Sequence, residues 1–223
     1  MRVTYGSTMS PTAATNESPE ATTDPIGPPS RRRRWLWITV LGVVLVAATT
    51  GWRVVGVSAL DQVVVQVTDH DCGDTATVRV RRNGNLLVET TRDLRCTFTV
   101  TIANQGRRTV SIGEVRANIM GPDTGSVLLA ESIAGATPQG DQQSVDALHT
   151  LGRDLAGGST TSFDLVVVLN PEGCNDGVTL TLFGFPQVEL STLRVSRTVD
   201  AINDLEVNNT IRTPGCGPHD RAA

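Results

Sequence analysis

Residues 96–102 read Cys-Thr-Phe-Thr-Val-Thr-Ile, with an apolar side chain at every even position and a threonine at every odd one. Strict alternation over seven residues is typical of a half-buried β-strand, because successive side chains point to opposite faces of a sheet. The Asn104-Gln105-Gly106 that follows has the composition of a turn. This stretch therefore predicts a body built from amphipathic strands.

Apolar stretches of strand length recur on both sides of this segment. We expect further strands at Val63–Val67, Ala76–Val80, Leu86–Val88, Val110–Ile119, Val127–Leu129, Phe163–Leu169, Val178–Phe183 and Val188–Val195. Asn83-Gly84 predicts a hairpin turn, and a change of parity at Gly113-Glu114 predicts a β-bulge. Seven to nine short strands with frequent turns predict an all-β fold, an antiparallel sandwich.

One part of the body has helical spacing instead. In Asp146–Leu155 the apolar residues fall at Ala147, Leu148, Leu151 and Leu155. This spacing predicts a short helix of one or two turns.

Residues 35–52 form an uncharged, mostly apolar run. Eighteen helical residues span roughly 27 Å, close to the hydrocarbon thickness of a bilayer. Trp35 and Trp37 lie at one end of the run and Trp52 at the other, where indole rings favour the headgroup boundary. Apolar character continues past Arg53 to Val57, so we predict a transmembrane helix over 35–57.

The charge is distributed unevenly around this run. The chain has 19 arginines, no lysine and a net charge of −4. Residues 1–34 carry a local +2, including the cluster Arg31, Arg32, Arg33 and Arg34, whereas residues 53–223 carry a local −6. Positive residues stay on the cytoplasmic side of a membrane. We therefore expect a single-pass protein of the cell membrane with its N-terminus cytoplasmic and its C-terminal domain extracytoplasmic.

A cleaved signal peptide is the alternative to an uncleaved anchor. Val46-Ala47-Ala48 and Val57-Ser58-Ala59 both resemble the small-residue pattern that precedes a cleavage site. The 34 residues before the run and the length of the run itself favour the uncleaved anchor, because signal peptides are usually shorter in both parts. In either case the C-terminal portion is exported.

These patterns divide the chain into four parts. Residues 1–34, rich in Thr, Ser, Pro and Ala, have little apolar surface to bury and are expected to form a disordered cytoplasmic tail. The helix follows at 35–57, the β-sandwich domain at 61–216 and a flexible tail at 217–223.

Two segments of the exported part resemble a known group of domains. The hairpin sequence from Cys96 to Ile112 and the segment Leu155–Val168 are similar to strand pairs of bacterial immunoglobulin-like envelope domains. The resemblance implies an immunoglobulin-like sandwich. It covers under a third of the exported part, and residues 53–223 lack the core tryptophan of antibody-type domains. The implication is for the fold alone, because this sandwich carries many unrelated functions.

All four cysteines lie in the exported part, where disulfides persist. A hairpin centred on Gly84 would pair residues whose numbers sum to 168, so that Val80 faces Val88. Extension of the same ladder places Cys72 opposite Cys96. We therefore predict the disulfides Cys72–Cys96 and Cys174–Cys216.

No motif of catalysis or cofactor binding is present in the sequence, and none of the cysteine spacings fits zinc. Asp69, Asp71 and Asp74 are a weak candidate for calcium, since an EF-hand would need further ligands and a closing glutamate. We expect these carboxylates to lie in a solvated turn, with no cofactor, no metal and no catalytic residue in the chain. The charge balance also argues against nucleic acid as a partner.

The sequence therefore favours a non-enzymatic binding or scaffold module of the bacterial cell envelope. Its expected partners are the lipid bilayer, through the helix, and an envelope protein or a cell-wall polymer. The alternative is a transmembrane sensor that couples the outer domain to the N-terminal tail. The sequence does not define an oligomeric state.

Overall fold

The computed structural model describes residues 31–122, 126–141, 143, 145–174, 177 and 179–208; for residues 31–34 it describes the backbone alone. Residues 1–30 of the tail predicted at 1–34, Cys216 and the segment 217–223 lie outside these ranges, whereas residues 31–34 of that tail are helical and not disordered. The described residues from Val46 onward form one compact unit, and those before Val46 belong to another.

One long helix precedes the strands. Helix α1 runs Arg31–Leu60, four residues earlier and three residues later than the span predicted at 35–57. Its last residues differ from the rest because Gly56, Ala59 and Leu60 are buried, and Leu60 belongs to the hydrophobic core. The end of the apolar helix is therefore part of the folded body.

The described residues that follow the helix are predominantly β. They contain thirteen strands and one short 3₁₀ helix, Gly73–Thr75. The strands are β1 Val63–Asp71, β2 Thr77–Val80, β3 Leu86–Glu89, β4 Arg95–Asn104, β5 Val110–Ala117, β6 Leu128–Ile133, β7 Gln139–Gly140, β8 Ala147–Leu155, β9 Thr160–Leu169, β10 Leu180–Leu182, β11 Gln187–Thr192, β12 Val195–Asp200 and β13 Leu205–Asn208.

These strands form three sheets. Two are wholly antiparallel, with the orders β1-β4-β9-β6 and β12-β11-β5-β8-β7. The third has the order β10-β13-β3-β2, in which β13 runs parallel to β3. The predicted antiparallel, mostly β architecture is confirmed, with three sheets instead of two.

The alternation in β4 organises the core. Cys96, Phe98, Val100 and Ile102 are all buried, and the ring of Phe98 packs edge-to-face on Phe185 with centroids 6.1 Å apart. Apolar residues from all three sheets join the same buried cluster. Removal of this apolar surface from water is the main contribution to the stability of the body.

The predicted Cys72–Cys96 disulfide is present, but the ladder that predicted it is wrong. In the β2–β3 hairpin Val80 pairs with Leu86 and Val78 with Val88, so the paired numbers sum to 166. Cys96 belongs to β4, which pairs with β1. A register shift after Val67 brings Asp71 opposite Thr97, and the two cysteines follow at the end of that ladder.

Three other sequence predictions need correction. Asp146–Leu155 is not a helix, because Ala147–Leu155 forms β8 between β5 and β7. The strand predicted at Val188–Val195 is interrupted by a two-residue turn at Leu193 and Arg194, both with positive φ, and β12 begins after it. Ile119 lies beyond β5 with φ 58° and is exposed. The bulge predicted at Gly113-Glu114 is confirmed by the register shift between β5 and β8.

Candidate membrane interface

The helix α1 exposes an apolar surface over most of its length. Every side chain from Trp35 to Val55 is exposed, and Arg53 is the only charged residue among them. Trp35–Leu60 is long and apolar enough to cross a membrane. The hydroxyls of Thr39 and Thr50 donate to the helix's own carbonyls, Trp35 O and Val46 O, so these polar groups need no solvent.

The helix is attached to the body by specific contacts at Trp52 and Gly56. The Trp52 indole Nε1 donates a hydrogen bond of 2.8 Å to the carbonyl oxygen of Leu193, in the β11–β12 turn. One turn further on, a Cβ at Gly56 would lie 2.7 Å from Val195 Cγ2. Glycine is therefore required for this close approach of the helix to the hairpin. The side chain of Arg197 in β12 also forms an ion pair with Asp61.

Only two residues connect the helix to the first strand. The Asp61 amide donates to Val57 O at 3.0 Å and so continues the helical pattern, while Gln62 O accepts from the Gln105 amide at 2.9 Å. Val63 then begins β1. The junction is bonded on both sides and contains no free linker.

Antiparallel pairing brings three turns to the end of the body where the helix joins it. The end of β4 lies beside the start of β1, since Val63 pairs with Asn104, and the turn at Leu193 follows the end of β11. The β8–β9 turn joins them because the Gly158 amide donates to Asn104 O at 2.8 Å. We call this end of residues 46–208 the base of the body.

Asn104 holds two of these turns together. Its side chain is buried, and Nδ2 donates to Arg108 O at 2.8 Å, Leu155 O at 3.1 Å and Ala156 O at 3.2 Å. Its Oδ1 accepts from the Gly106 amide at 3.0 Å. The β4–β5 turn is therefore fixed against the β8–β9 turn, and the exposed Arg107 and Arg108 sit on a rigid backbone.

A groove runs between the helix and the β4–β5 turn. Its volume is about 420 Å³, and it is lined by Val54, Val55, Ser58, Ala59, Gln62, Gln105, Arg107 and Arg108. One wall is largely aliphatic and comes from α1, whereas the other carries amides and guanidinium groups. The groove is thus amphipathic, and its apolar wall continues the exposed surface of the helix.

The other predicted site residues do not form a site. Asp69 Oδ1 accepts from the His70 amide and Asp71 Oδ1 from the Gly73 amide, as turn-forming carboxylates do. Among the described residues no group of three His, Cys, Asp or Glu side chains is arranged to hold a metal ion. Cys174 is disulfide-bonded, but its predicted partner Cys216 lies outside the described residues, so that pairing stays a prediction.

Of the predicted membrane residues, Trp35, Trp37 and Trp52 are exposed on α1, and Arg31–Arg34 begin the helix. The arginines of the base were missed at the sequence level. A signal for them existed: if β1 and β4 pair as neighbours, the turn after Ile102 must lie beside Asp61-Gln62, and Arg107 and Arg108 with it.

Comparison with known proteins assigns no activity. No protein-family model and no curated protein matches this chain. The exo-β-N-acetylglucosaminidase of glycoside hydrolase family 20 from Vibrio harveyi, as an inactive variant and with N-acetylglucosamine, aligns at 13% identity with a TM-score of 0.31. Those alignments cover 69% of this chain and only 19% of the glycosidase. A late embryogenesis abundant protein aligns at 14% identity and a TM-score of 0.28, over 79% of this chain and 85% of its own.

Proposed function

We propose that this protein is a single-pass membrane protein of the bacterial cell envelope whose extracytoplasmic, immunoglobulin-like β-sandwich is a non-enzymatic binding or scaffold module. The observation that carries the proposal is the exposed, uncharged surface of α1 from Trp35 to Trp52. A surface of that size and polarity is incompatible with a water-exposed helix and compatible with a lipid environment.

The proposed orientation rests on charge and on sulfur chemistry. Arg31–Arg34 precede the span, and arginines retain their end of a span in the cytoplasm. The body carries the Cys72–Cys96 disulfide, which is characteristic of proteins folded outside the reducing cytosol.

The burial of the helix end supports an uncleaved anchor. Cleavage after Ala59 would make Leu60 the first residue, although Leu60 is only 1% exposed and belongs to the core. It would also remove Gly56, which packs on Val195. We therefore infer that the helix remains covalently attached and forms part of the mature fold.

The binding role is assigned to an exposed sheet edge. Among the described strands β2 is at the edge of its sheet, with β3 on one side only, and Val80 at its end is 62% exposed. Edge strands offer unpaired main-chain groups to an extended partner segment. An envelope protein that adds a strand to Thr77–Val80 is thus the partner that the fold accommodates most directly.

Membrane anchorage is tested by alkaline extraction of bacterial membranes that contain the full-length chain. We expect the wild-type protein to remain in the membrane pellet with the mass of the uncleaved chain, and protease added to spheroplasts to digest the body. The variant Leu41→Arg/Val44→Arg should leave the pellet, since each arginine at mid-span costs about 3 kcal/mol. The matched variant Leu41→Ala/Val44→Ala should stay in it. A wild-type chain that is soluble, cleaved or protease-protected contradicts the proposal.

The binding role is tested by a photo-crosslinking residue placed at Val80, with the same residue at Thr198 in edge strand β12 as the matched control. We expect one discrete crosslinked protein from position 80 and none from position 198. Equal labelling from both positions, or none from either, contradicts the assignment to the β2 edge.

The bonded junction at Asp61-Gln62 favours the sensor as a second candidate function, because a change in the body would be passed to the helix without loss in a flexible linker. Deletion of residues 2–30 separates the two candidates. A sensor loses its cellular phenotype in the deletion, whereas a binding module retains both its phenotype and its crosslink.

A further inference from the structure

The base of the body carries a set of arginines without acidic partners. Arg53, Arg107, Arg108 and Arg194, here called the basal arginines, belong to the helix end and to two of the turns that meet there. Five other arginines of the body are paired with carboxylates, at positions 79, 81, 95, 116 and 197, while the described Arg82, Arg92 and Arg153 also have no ion pair, so the basal set is defined by its position. Within the described ranges none of the basal arginines has an ion pair.

The composition of the converging segments explains why these charges are uncompensated. Residues 52–60, 104–109, 156–159 and 192–195 contain no Asp or Glu. Asp61, the nearest acid along the chain to the helix end, is already paired with Arg197. A body whose sequence is net negative therefore presents a positive end at the point where its helix leaves it.

Trp52 is the helix residue beside which the base of the body lies. Its indole is bonded to the Leu193 carbonyl, so the β11–β12 turn reaches the residue at which the uncharged run ends. Arg194 is the second residue of that turn. If the Trp52 indole lies at the headgroup boundary, as indole rings favour, the basal arginines beside it lie at the depth of the lipid phosphates.

The groove beside α1 matches the two parts of a phospholipid. Val54, Val55 and Ala59 line its apolar wall, while Arg107 and Arg108 line the opposite one. Guanidinium groups bind phosphate oxygens through paired hydrogen bonds, and the backbone that carries them is fixed by Asn104. The turn is also packed tightly from behind, since a Cβ at Gly157 would lie 2.5 Å from the Arg107 carbonyl carbon.

We propose that this groove binds an anionic phospholipid of the extracytoplasmic leaflet, with its phosphate on Arg107 and Arg108 and its glycerol and upper acyl chain along Val54 and Val55. This inference rests on the proposed membrane anchorage. The groove selects anionic over zwitterionic lipid, because a zwitterionic headgroup brings its own cation to the phosphate and leaves the arginines uncompensated.

The test uses the full-length protein, reconstituted in bilayers of equal parts phosphatidylglycerol and phosphatidylcholine and then extracted in mild detergent. Retained lipid is measured by native mass spectrometry. We expect retained phosphatidylglycerol in excess of phosphatidylcholine for the wild type. In Arg107→Gln/Arg108→Gln that excess should fall by roughly 25-fold, at about fivefold per arginine near an anionic surface.

The matched control is Arg82→Gln/Arg92→Gln, which removes two exposed arginines from the β2–β3 and β3–β4 turns. It should keep the wild-type ratio. An equal loss in this control, no lipid preference in the wild type, or displacement of the bound lipid by millimolar inorganic phosphate overturns the inference.

Alkaline extraction of the same variants separates this inference from the proposed function. If all variants remain in the membrane pellet while lipid preference is absent, the groove assignment fails and the anchorage stands. If the wild type is itself extracted, the anchorage fails and the groove assignment with it.

Discussion

The indole nitrogen of Trp52 lies 2.8 Å from the carbonyl oxygen of Leu193, 141 residues further along the chain. This bond joins a residue of the apolar helix to a turn of the β body. Both residues belong to the compact unit that begins at Val46, so the bond ties the β11–β12 turn to the last two turns of the helix.

Trp52→Phe tests that bond. Phenylalanine keeps the aromatic ring but cannot donate, so we expect a loss of about 0.5–1 kcal/mol in unfolding free energy, at the low end because the site is partly exposed. Amide hydrogen exchange in residues 192–195 should become faster. Trp37→Phe, in the apolar run, should leave that exchange unchanged. Unaltered exchange in Trp52→Phe would show that the bond does not hold the turn.

Gly56→Ala tests the packing of the helix on the β11–β12 hairpin. The new methyl group would lie 2.7 Å from Val195 Cγ2, and a branched side chain cannot move aside cheaply. We expect a net destabilisation of about 1–2 kcal/mol despite the better helix propensity of alanine, measured by thermal unfolding in detergent.

Gly51→Ala is the matched control for this change. No atom lies within 4 Å of a Cβ at Gly51, so alanine there should be neutral or slightly stabilising. Equal melting temperatures for the two variants would mean that the helix end does not pack on Val195.

Asn104→Asp tests the polar centre of the base. The substitution replaces a donor to three carbonyl oxygens with an acceptor, in a side chain that is 1% exposed. We expect a loss of roughly 3 kcal/mol or more in unfolding free energy at neutral pH. The loss should shrink on acidification, because the folded site raises the pKa of the new carboxyl and the protonated form can donate again.

The neighbouring Gln105→Glu makes the same amide-to-acid change at an exposed position. Its effect on stability should stay within about 0.5 kcal/mol at every pH. A similar response from both variants would indicate a general charge effect, not a specific loss at Asn104.

Cys72→Ala/Cys96→Ala tests the disulfide at the end of the β1–β4 ladder. The two residues are 24 apart in sequence, and closing a loop of that size contributes about 3 kcal/mol on the chain-entropy model. We expect a lower denaturant midpoint for the double variant, and reductant should lower the wild-type midpoint toward it. A wild-type midpoint that is insensitive to reductant would show that the bond adds no stability.

Local pattern predicted the elements whose environment is simple. The β4 strand, the hairpin at Asn83-Gly84 and the bulge at Gly113-Glu114 followed from alternation and turn chemistry, and all three are present. The sequence signal for each of these features lies within about ten residues, so it could be recognised without knowledge of the distant strands that pair there.

The sequence pattern gave wrong predictions for segments whose structure depends on pairing with other strands. The spacing of Ala147, Leu148, Leu151 and Leu155 fits a helix, yet the segment is a strand because it pairs with β5 along its length. A bulge in this pairing disturbs the alternation of apolar and polar residues, so the strand could not be recognised from the sequence pattern. Leu193-Arg194 lacks the Asn-Gly expected of a two-residue hairpin turn, so the turn was read as strand.

The disulfide shows a third case, in which the correct partners came from an incorrect ladder. In both the predicted hairpin and the observed β1–β4 pair, the numbers of paired residues near Cys72 sum to 168. In the observed pair this register depends on a shift after Val67 that the sequence does not signal. The groove at the base was missed because it requires the pairing of β1 with β4 and the close approach at Gly56 together.

The cystine at the end of β1 also limits how far the body can be stretched. A force applied between helix α1 and β13 would be transmitted through the disulfide and would bypass residues 73–95. Those 23 residues would carry no load, so the length of the fully extended chain would be shorter by roughly 80 Å. Under mechanical load the protein would therefore behave as a short tether even after its sheets had opened.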